Sequence, residues 1–167
     1  IKSLAKCYTL LGQIFVEYGS AGKANEVLLK AYSTSLKVLG AEAYETLEAK
    51  KYLSWSYGYL GDLDMELKFS QELLQSYLKQ KSKYYLDITD LYNTIGMNYG
   101  LRNQRETERV YYEVGRKMLE EFRARNSDEQ FKVQTQLANL YNSISLSYIG
   151  SIDYRNALAA AKKSLAY

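Results

Sequence analysis

The sequence contains no histidine and no proline, and it has a single cysteine. Without histidine, the chain has no histidine general base, no Ser–His or Cys–His nucleophile pair and no zinc site with imidazole ligands. The lack of proline and the count of only 10 glycines in 167 residues argue against a turn-rich all-β fold and against a collagen-like or disordered chain. These absences exclude active sites that depend on histidine.

A lone cysteine, Cys7, cannot form a disulfide within the chain, and no Asn-x-Ser/Thr acceptor for glycosylation is present. Both observations favour a reducing intracellular compartment, and we expect the protein to be cytoplasmic. No run of about 18 apolar residues occurs, so we predict no membrane span. The chain begins with Ile1 rather than Met and without a leader-like segment, and we expect it to be a piece of a longer protein.

Length and charge fit one globular domain or one short repeat array. The chain is 47% hydrophobic, which is enough to bury a core, and its formal net charge is only +3. A protein that binds nucleic acid without sequence preference usually carries a stronger basic stripe. The composition therefore argues against nucleic acid as the main partner.

One pattern recurs four times along the chain. An aromatic residue or Lys is followed, at fixed spacing, by Leu or Ile, by Gly or Ser, and by a second aromatic residue. The small residues of the four copies are 42, 42 and 49 residues apart. The copies are Tyr8–Leu11–Gly12–Phe15, Lys50–Leu53–Ser54–Tyr57, Tyr92–Ile95–Gly96–Tyr99 and Tyr141–Ile144–Ser145–Tyr148.

Spacings of 3, 4 and 7 place the residues of each copy on one face of a helix. The small residue lets a neighbouring helix approach closely, and the flanking aromatic rings fill the space beside it. A turn follows in each copy, at Gly19, Gly61, Asn103 and, slightly earlier in the register, Gly150. A second amphipathic stretch comes after the turn, so each copy is a helical hairpin that must stack on the next one to cover its apolar face.

The first copy resembles the signature of the tetratricopeptide repeat (TPR), W-x2-L-G-x2-Y followed by small residues. After Tyr8-x2-Leu11-Gly12-x2-Phe15 come Gly19, Ala24 and Ala31 at the matching places. The 42-residue period is similar to the longer repeats of kinesin light chains, as is the Lys37-Val38-Leu39-Gly40 junction. The two middle copies depart from the family, since they have Met65/Glu66 and Thr107/Glu108 where it prefers Ala. The resemblance implies an all-α solenoid, or superhelix, of about four TPR-like hairpins.

We predict one repeat domain over 1–167, with repeats at about 1–40, 41–82, 83–126 and 127–167. The first helices of the hairpins are expected near 2–18, 42–59, 84–101 and 130–149, and the second helices near 21–38, 63–80, 104–124 and 153–166. Gly40 is expected to end a helix in the left-handed conformation. The run Ser127-Asp128-Glu129-Gln130 is expected to open a helix as a capping box.

For the side chains that could act in catalysis or ligand binding, a structural interpretation fits better. The run Gly19–Ala24 lacks the spacing of a phosphate-binding loop and fits the turn of the first hairpin. Asp62 and Asp64 are expected to begin a helix, where acids interact favourably with the helix dipole. Cys7 is expected to be a buried, inert thiol, since no histidine is present to activate it. We therefore predict a non-enzymatic protein with no cofactor and no metal site.

Tyrosine is unusually frequent in this sequence, and arginine is clustered in one part of it. The 18 tyrosines are expected mainly to pack between helices, although exposed rings beside basic residues could also stack on single-stranded nucleic acid. Six arginines between 102 and 125 form the best candidate basic surface. They alternate with five glutamates, Glu108 among them, and mixed signs at helical spacing are typical of a solvated, ion-paired face.

The first helices of TPR-like hairpins line the concave side of the superhelix. Positions one, five and eight after the opening aromatic fall on one stripe of these helices. We predict that eight of these residues contact a partner: Thr9, Gln13, Lys51, Trp55, Asn93, Met97, Asn142 and Leu146. The remaining stripe residues are Val16, Gly58, Gly100 and Ile149.

Amides can hydrogen-bond an extended peptide, and Trp55, Met97 and Leu146 can form side-chain pockets. Trp55 is the only tryptophan, a residue type enriched in interface hot spots, although it could equally pack on the adjacent repeat. Only Lys51 is cationic in the stripe, which disfavours a clamp for a C-terminal carboxylate. The resemblance implies that the protein binds other proteins rather than catalysing a reaction.

Three functional hypotheses remain open at this point. The first is a scaffold that holds a peptide or helix of a partner protein in its concave groove, as a possible subunit of a larger complex. The second is a regulatory or peptide-sensing domain of a larger regulator or enzyme, whose effector domain lies outside this sequence. The third is a helical repeat that contacts RNA through the arginines of 102–125, which salt-dependent binding would reveal.

Overall fold

The computed structural model describes residues 2–167, which form eight α-helices and no strand. All eight predicted helices are confirmed, with their ends within three residues of the expected positions, and the all-α repeat fold is confirmed with them. Ile1, the first residue of the predicted first repeat, lies outside the described residues. The helices are α1 (Lys2–Glu17), α2 (Ala21–Leu39), α3 (Tyr44–Tyr59), α4 (Leu63–Leu78), α5 (Tyr85–Leu101), α6 (Arg105–Glu121), α7 (Ser127–Gly150) and α8 (Tyr154–Ser164).

Two compact units divide the chain, the first ending at Ser76 and the second comprising Tyr77–Tyr167. Within the first unit, α1 packs on α2, and α3 packs on both. Within the second unit, α5 packs on α6, α7 packs on both, and α8 packs on α7. In each unit two first helices therefore lie side by side, α1 with α3 and α5 with α7.

The small residues of the repeated pattern lie where two helices cross closely. Ser54 and Ser70 are both fully buried, and their hydroxyls are 2.9 Å apart between α3 and α4. Ser145 donates a hydrogen bond of 2.9 Å to the carbonyl of Ala157 in α8. A Cβ atom built on Gly96 would lie 2.5 Å from the ring of Tyr112. The pattern thus marks the contact between the two helices of a hairpin, as predicted.

A backbone with positive φ follows each small residue by seven positions. Gly19, Gly61 and Asn103 adopt φ of 69°, 76° and 60°, as expected for the turn of each hairpin. In the fourth hairpin the predicted turn residue, Gly150, is the last residue of α7, and Ile152 takes the left-handed conformation with φ of 60°. The prediction was wrong there because the register of the hairpin, rather than residue preference, decides where the chain reverses.

Both predicted helix ends depend on their capping groups. Gly40 has φ of 87° and its N–H donates to the carbonyl of Leu36 at 3.1 Å, which confirms the predicted end of α2. The cap of α7 lies one residue before the predicted one. Asn126 accepts a hydrogen bond from the N–H of Glu129 at 2.9 Å, and Ser127 is already helical. Asn replaces Ser as the cap because both carry a short side-chain oxygen acceptor.

Tyrosines contribute to the core of each unit in the way the packing interpretation expects. Tyr32 meets Phe69 edge-to-face in the first unit, with ring centroids 5.7 Å apart. Tyr77 and Tyr84 are buried and stacked in the second unit, with centroids 4.2 Å apart. Cys7 differs from its prediction, since its thiol is exposed on α1 rather than buried. It lies outside the face that Thr9 and Gly12 bury against the rest of the hairpin.

Candidate partner-binding face

In the first unit, a cavity of about 130 Å³ opens between α1 and α3. Two predicted residues, Thr9 and Gln13, lie in its wall. The rest of the wall combines aromatic, aliphatic and charged groups. These are Lys6, Leu10, Tyr44, Glu45, Glu48 and Tyr52.

Thr9 and Gln13 differ in what they can offer a partner. The Thr9 side chain is buried and its hydroxyl donates to the carbonyl of Ala5 at 3.0 Å, so it shapes the wall of the cavity. The Gln13 amide is partly exposed and donates to a carboxylate oxygen of Glu17 at 3.0 Å. Gln13 can exchange this hydrogen bond for one to a partner, because both side chains are at least partly exposed and lie four residues apart on the surface of α1.

Lys51 and Trp55 meet at Tyr52, a residue the predicted stripe does not include. The Lys51 ammonium is 2.9 Å from Glu48 and 5.3 Å from the centroid of the Tyr52 ring. Trp55 packs edge-to-face on Tyr52, with centroids 5.2 Å apart. Burial raises the pKa of the Tyr52 hydroxyl, an effect that the charge of Lys51 opposes. The cation of the stripe is therefore ion-paired, and Trp55 is half-buried beside the cavity.

In the second unit, Met97 and Leu146 line one cavity of about 260 Å³. They belong to different helices, α5 and α7, and their side chains are 50% and 58% exposed. The sequence placed both on the stripe, and the structure brings them together. The other residues of this cavity are Gly100, Leu101, Arg105, Glu108, Tyr112, Ser143 and Ser147.

The two asparagines of the predicted stripe, Asn93 and Asn142, line neither described cavity of this unit. The Asn93 Oδ1 atom is buried without a hydrogen-bond partner, and Asn142 is exposed on α7. The amide that α7 turns toward α5 belongs to Gln136, which donates to Asp90 at 2.8 Å and accepts from Thr89 at 2.9 Å. Asn142 lies one helical turn before Leu146, whereas Gln136 precedes the repeated pattern from which the stripe was counted.

Gln136 lies in a second, wider cavity between α5 and α7, with a volume of about 510 Å³. Its wall is more polar than that of the Met97 cavity, and it holds two carboxylates and one ammonium group. The residues are Leu86, Asp87, Asp90, Phe131, Lys132, Thr135, Gln136 and Asn139. None of them was predicted, because the stripe was counted only from the repeated pattern and these residues precede it.

Glu108 corrects the prediction of a fully solvated charged face on α6, since it is only 4% exposed. Its Oε2 atom accepts from Arg105 at 3.1 Å and from the Ser147 hydroxyl at 2.7 Å, and its Oε1 atom accepts from Tyr112 at 3.2 Å. Burial raises the pKa of Tyr112, and the negative charge of Glu108 raises it further. The burial of Glu108 could not be predicted from the sequence, because its neighbours on the helix are exposed acids and bases.

Among residues 2–167, no group of three or more His, Cys, Asp or Glu side chains is arranged to hold a metal ion. Asp62 accepts from the N–H of Met65 at 3.1 Å, so it caps α4 as expected for an acid at a helix start. Within the same residues, no helix has the length and apolar character needed to cross a membrane.

No protein-family model and no curated protein matches this sequence. Solved structures do match it. BtubC (BKLC) from P. vanneervenii has a TM-score of 0.83 and 17% identity, and the match covers 96% of this chain and 61% of that one. A Podosopora anserina protein, described as a kinesin light chain with nearly identical TPR-like repeats, matches in two structures.

The two Podosopora anserina structures have TM-scores of 0.74 and 0.66, with 13% and 11% identity. The matches cover 99% of this chain in both cases, and 74% and 95% of the respective neighbours. At these identities the likeness concerns the fold, which is that of a TPR-like helical repeat. Such folds are typical of protein-interaction scaffolds and are generally non-catalytic. This chain spans 61% of the length of BtubC.

Proposed function

We propose that this TPR-like chain is a non-enzymatic interaction module that binds a peptide or helix of a partner protein on its first helices. One observation carries the proposal. Met97 and Leu146, exposed apolar side chains from two different first helices, form the walls of one cavity that also holds hydrogen-bonding groups. Apolar walls with a few polar groups suit the capture of peptide side chains.

The first unit supports the same interpretation by its own cavity. Tyr44 and Tyr52 give it aromatic walls, and Gln13 offers an amide whose present partner, Glu17, is an exposed neighbour on the same helix. Trp55 packs edge-to-face on Tyr52 and would add apolar area beside a bound peptide. We retain the predicted contact residues in this proposal, except that Thr9 acts by shaping the cavity.

Contact with RNA is less well supported, because three of the arginines in the candidate basic surface are paired with carboxylates. Arg105 pairs with Glu108, and Arg125 pairs with Glu129. Arg116 bridges two acids, Glu113 and Glu120. The proposal keeps a cytoplasmic location and a single repeat domain over 1–167 as expectations, together with membership of a larger complex or regulator.

The test uses a display library of random peptides selected on the purified chain. We expect selected peptides to bind, and we expect Trp55→Ala and Asn93→Ala to weaken that binding while circular dichroism shows unchanged helicity. Leu146→Ala should weaken it as well, because it removes one wall of the Met97 cavity. Leu29→Ala, an exposed residue on α2 away from the first helices, is the matched control. Selection of no peptide, or equal binding by all folded variants, contradicts the proposal.

A further inference from the structure

The two middle hairpins replace an alanine by a glutamate at the same register position. Twelve residues after the small residue, the outer hairpins carry Ala24 and Ala157, which are buried in the helix contact. The middle hairpins carry Glu66 and Glu108 there. Packing alone does not demand a carboxylate at this place, because alanine fills it in the other two hairpins.

A second exchange accompanies the first. Four residues after the small residue, the outer hairpins have Val16 and Ile149, whereas the middle hairpins have Gly58 and Gly100. The structure shows why the two exchanges occur together. A Cβ atom on Gly58 would lie 2.3 Å from Oε1 of Glu66, and one on Gly100 would lie 2.3 Å from Oε1 of Glu108. Each glycine makes room for the carboxylate of its own hairpin.

The glycines belong to the predicted stripe, so the carboxylate oxygen reaches the binding face where a side chain would otherwise stand. In the second unit this can be followed in detail, since Gly100 and Glu108 line the cavity of Met97 and Leu146. Glu108 thus places a negative oxygen in the floor of a cavity with apolar walls.

Glu108 uses its two oxygens unequally. Oε2 accepts two hydrogen bonds, from Arg105 and from Ser147. Oε1, the oxygen beside Gly100, accepts one, from Tyr112 at 3.2 Å. Because a carboxylate oxygen offers about two acceptor positions, Oε1 keeps the capacity to accept another hydrogen bond.

Charge on the binding face points to a basic ligand. The three cavities between the first helices are lined by more carboxylates than cations, although the whole chain has a net charge of +3. The carboxylates are Glu45, Glu48, Asp87, Asp90 and Glu108, and the cations are Lys6, Lys132 and Arg105. Glu45 and Glu48 are ion-paired with Lys2 and Lys51. In the Met97 cavity Arg105 pairs with Oε2 of Glu108, so Oε1 is the oxygen that can attract a positively charged group of a partner.

We propose that the Met97 cavity receives a lysine or arginine side chain of the partner peptide. Its aliphatic stem would lie against Met97 and Leu146, and its charged N–H group would donate to Oε1 of Glu108. This inference rests on the proposed function, because it names the chemical class of the peptide that the same site binds.

The test is a double-mutant cycle on a peptide chosen from the random library. Glu108→Gln keeps the size of the side chain and removes its charge, and norleucine in the peptide keeps the stem of lysine and removes its ammonium. We expect either change alone to weaken binding roughly tenfold, and both together to weaken it little further, since they remove the same charged hydrogen bond. Glu106→Gln changes the net charge equally at an exposed position of α6 and should leave affinity within about twofold.

Gly100→Ala provides a second variant in case the glutamine substitution perturbs the α6–α7 contact. It keeps the carboxylate and puts a methyl group against Oε1, so basic peptides should bind more weakly while norleucine peptides keep their affinity. Selection of apolar or acidic peptides that still depend on Trp55 and Leu146 would overturn this inference and leave the proposed function standing. Absence of peptide binding would overturn both, and independent effects in the cycle would overturn the inference alone.

Discussion

Gly12 and Leu28 meet where α1 crosses α2, and a Cβ atom on Gly12 would lie 2.4 Å from Cγ of Leu28. Leu28 is fully buried in the core of the first unit, so it cannot turn aside into solvent. The distance between the two helices is therefore set by the missing side chain of one residue. The same relation holds for Gly96 with Tyr112 in the second unit.

Gly12→Ala is expected to lower the free energy of unfolding by about 1–3 kcal/mol, because the added methyl group must displace a closely packed core side chain. Gly22→Ala provides the opposite case. Gly22 is an exposed residue of α2, and a Cβ atom added there would meet no other atom within 4 Å. Alanine should therefore raise stability by less than about 1 kcal/mol through its helix propensity, since Gly22 is the second residue of α2. Urea denaturation of both variants measures the difference, and equal effects would contradict the close crossing.

Ile152→Gly is expected to stabilise the protein, by about 1 kcal/mol. Ile152 adopts φ of 60°, a conformation that costs a β-branched residue roughly 1–2 kcal/mol, and its side chain is 74% exposed, so little packing is lost. Differential scanning calorimetry should show a higher Tm. Gly19→Ala, at the equivalent turn of the first hairpin with φ of 69°, should lower Tm for the same reason. A lower Tm for Ile152→Gly would mean that its side chain stabilises the turn.

The sequence was sufficient to predict the hairpins because their contacts repeat at fixed spacing. Gly12 and Gly96 recur in register, and the chain reverses seven residues after each, so spacing alone locates every helix. It could not predict Ile152 as a turn residue, since isoleucine is among the residues least suited to positive φ. The turn is imposed by the packing of α7 against α8.

Helical phase was sufficient to place some of the predicted stripe residues beside one another, but it did not identify the other residues of the cavities. Met97 and Leu146 share a cavity as their phase suggested. Asn142 is exposed on α7, whereas Gln136, which precedes the repeated pattern, hydrogen-bonds Asp90 of α5 and was therefore not counted in the stripe. Glu108 was missed because its burial depends on the space left by Gly100.

Asn126→Ala is expected to destabilise the protein by about 1 kcal/mol, while Ser127→Ala should have little effect. The Asn126 side chain accepts the N–H of Glu129 at 2.9 Å and so satisfies a donor that the first turn of α7 leaves open. Ser127 lies inside the helix, where alanine is at least as favourable. Chemical denaturation of both variants decides which residue is the cap, and a larger loss from Ser127→Ala would restore the cap expected from sequence.

Alkaline pH should destabilise the protein in part through Tyr141. Its hydroxyl donates to Oε1 of Glu120 at 2.7 Å, and burial, together with that carboxylate, raises the pKa of Tyr141 from 10.0 to about 12. The folded state therefore holds this proton more tightly than the unfolded state does. Below pH 10 the stabilisation is fully present, and it is lost as the pH rises from 10 toward 12.

Tyr141→Phe removes this ionisation and should make the free energy of unfolding fall less steeply between pH 10 and pH 12. The variant should also be less stable at pH 8, because the Glu120 carboxylate loses a hydrogen-bond donor, an effect of about 1–3 kcal/mol. Urea denaturation at a series of pH values measures both effects. Tyr18→Phe, at a ring that is 80% exposed, is the control and should keep the wild-type dependence. An equally steep fall in Tyr141→Phe would show that the alkaline loss of stability arises at other tyrosines.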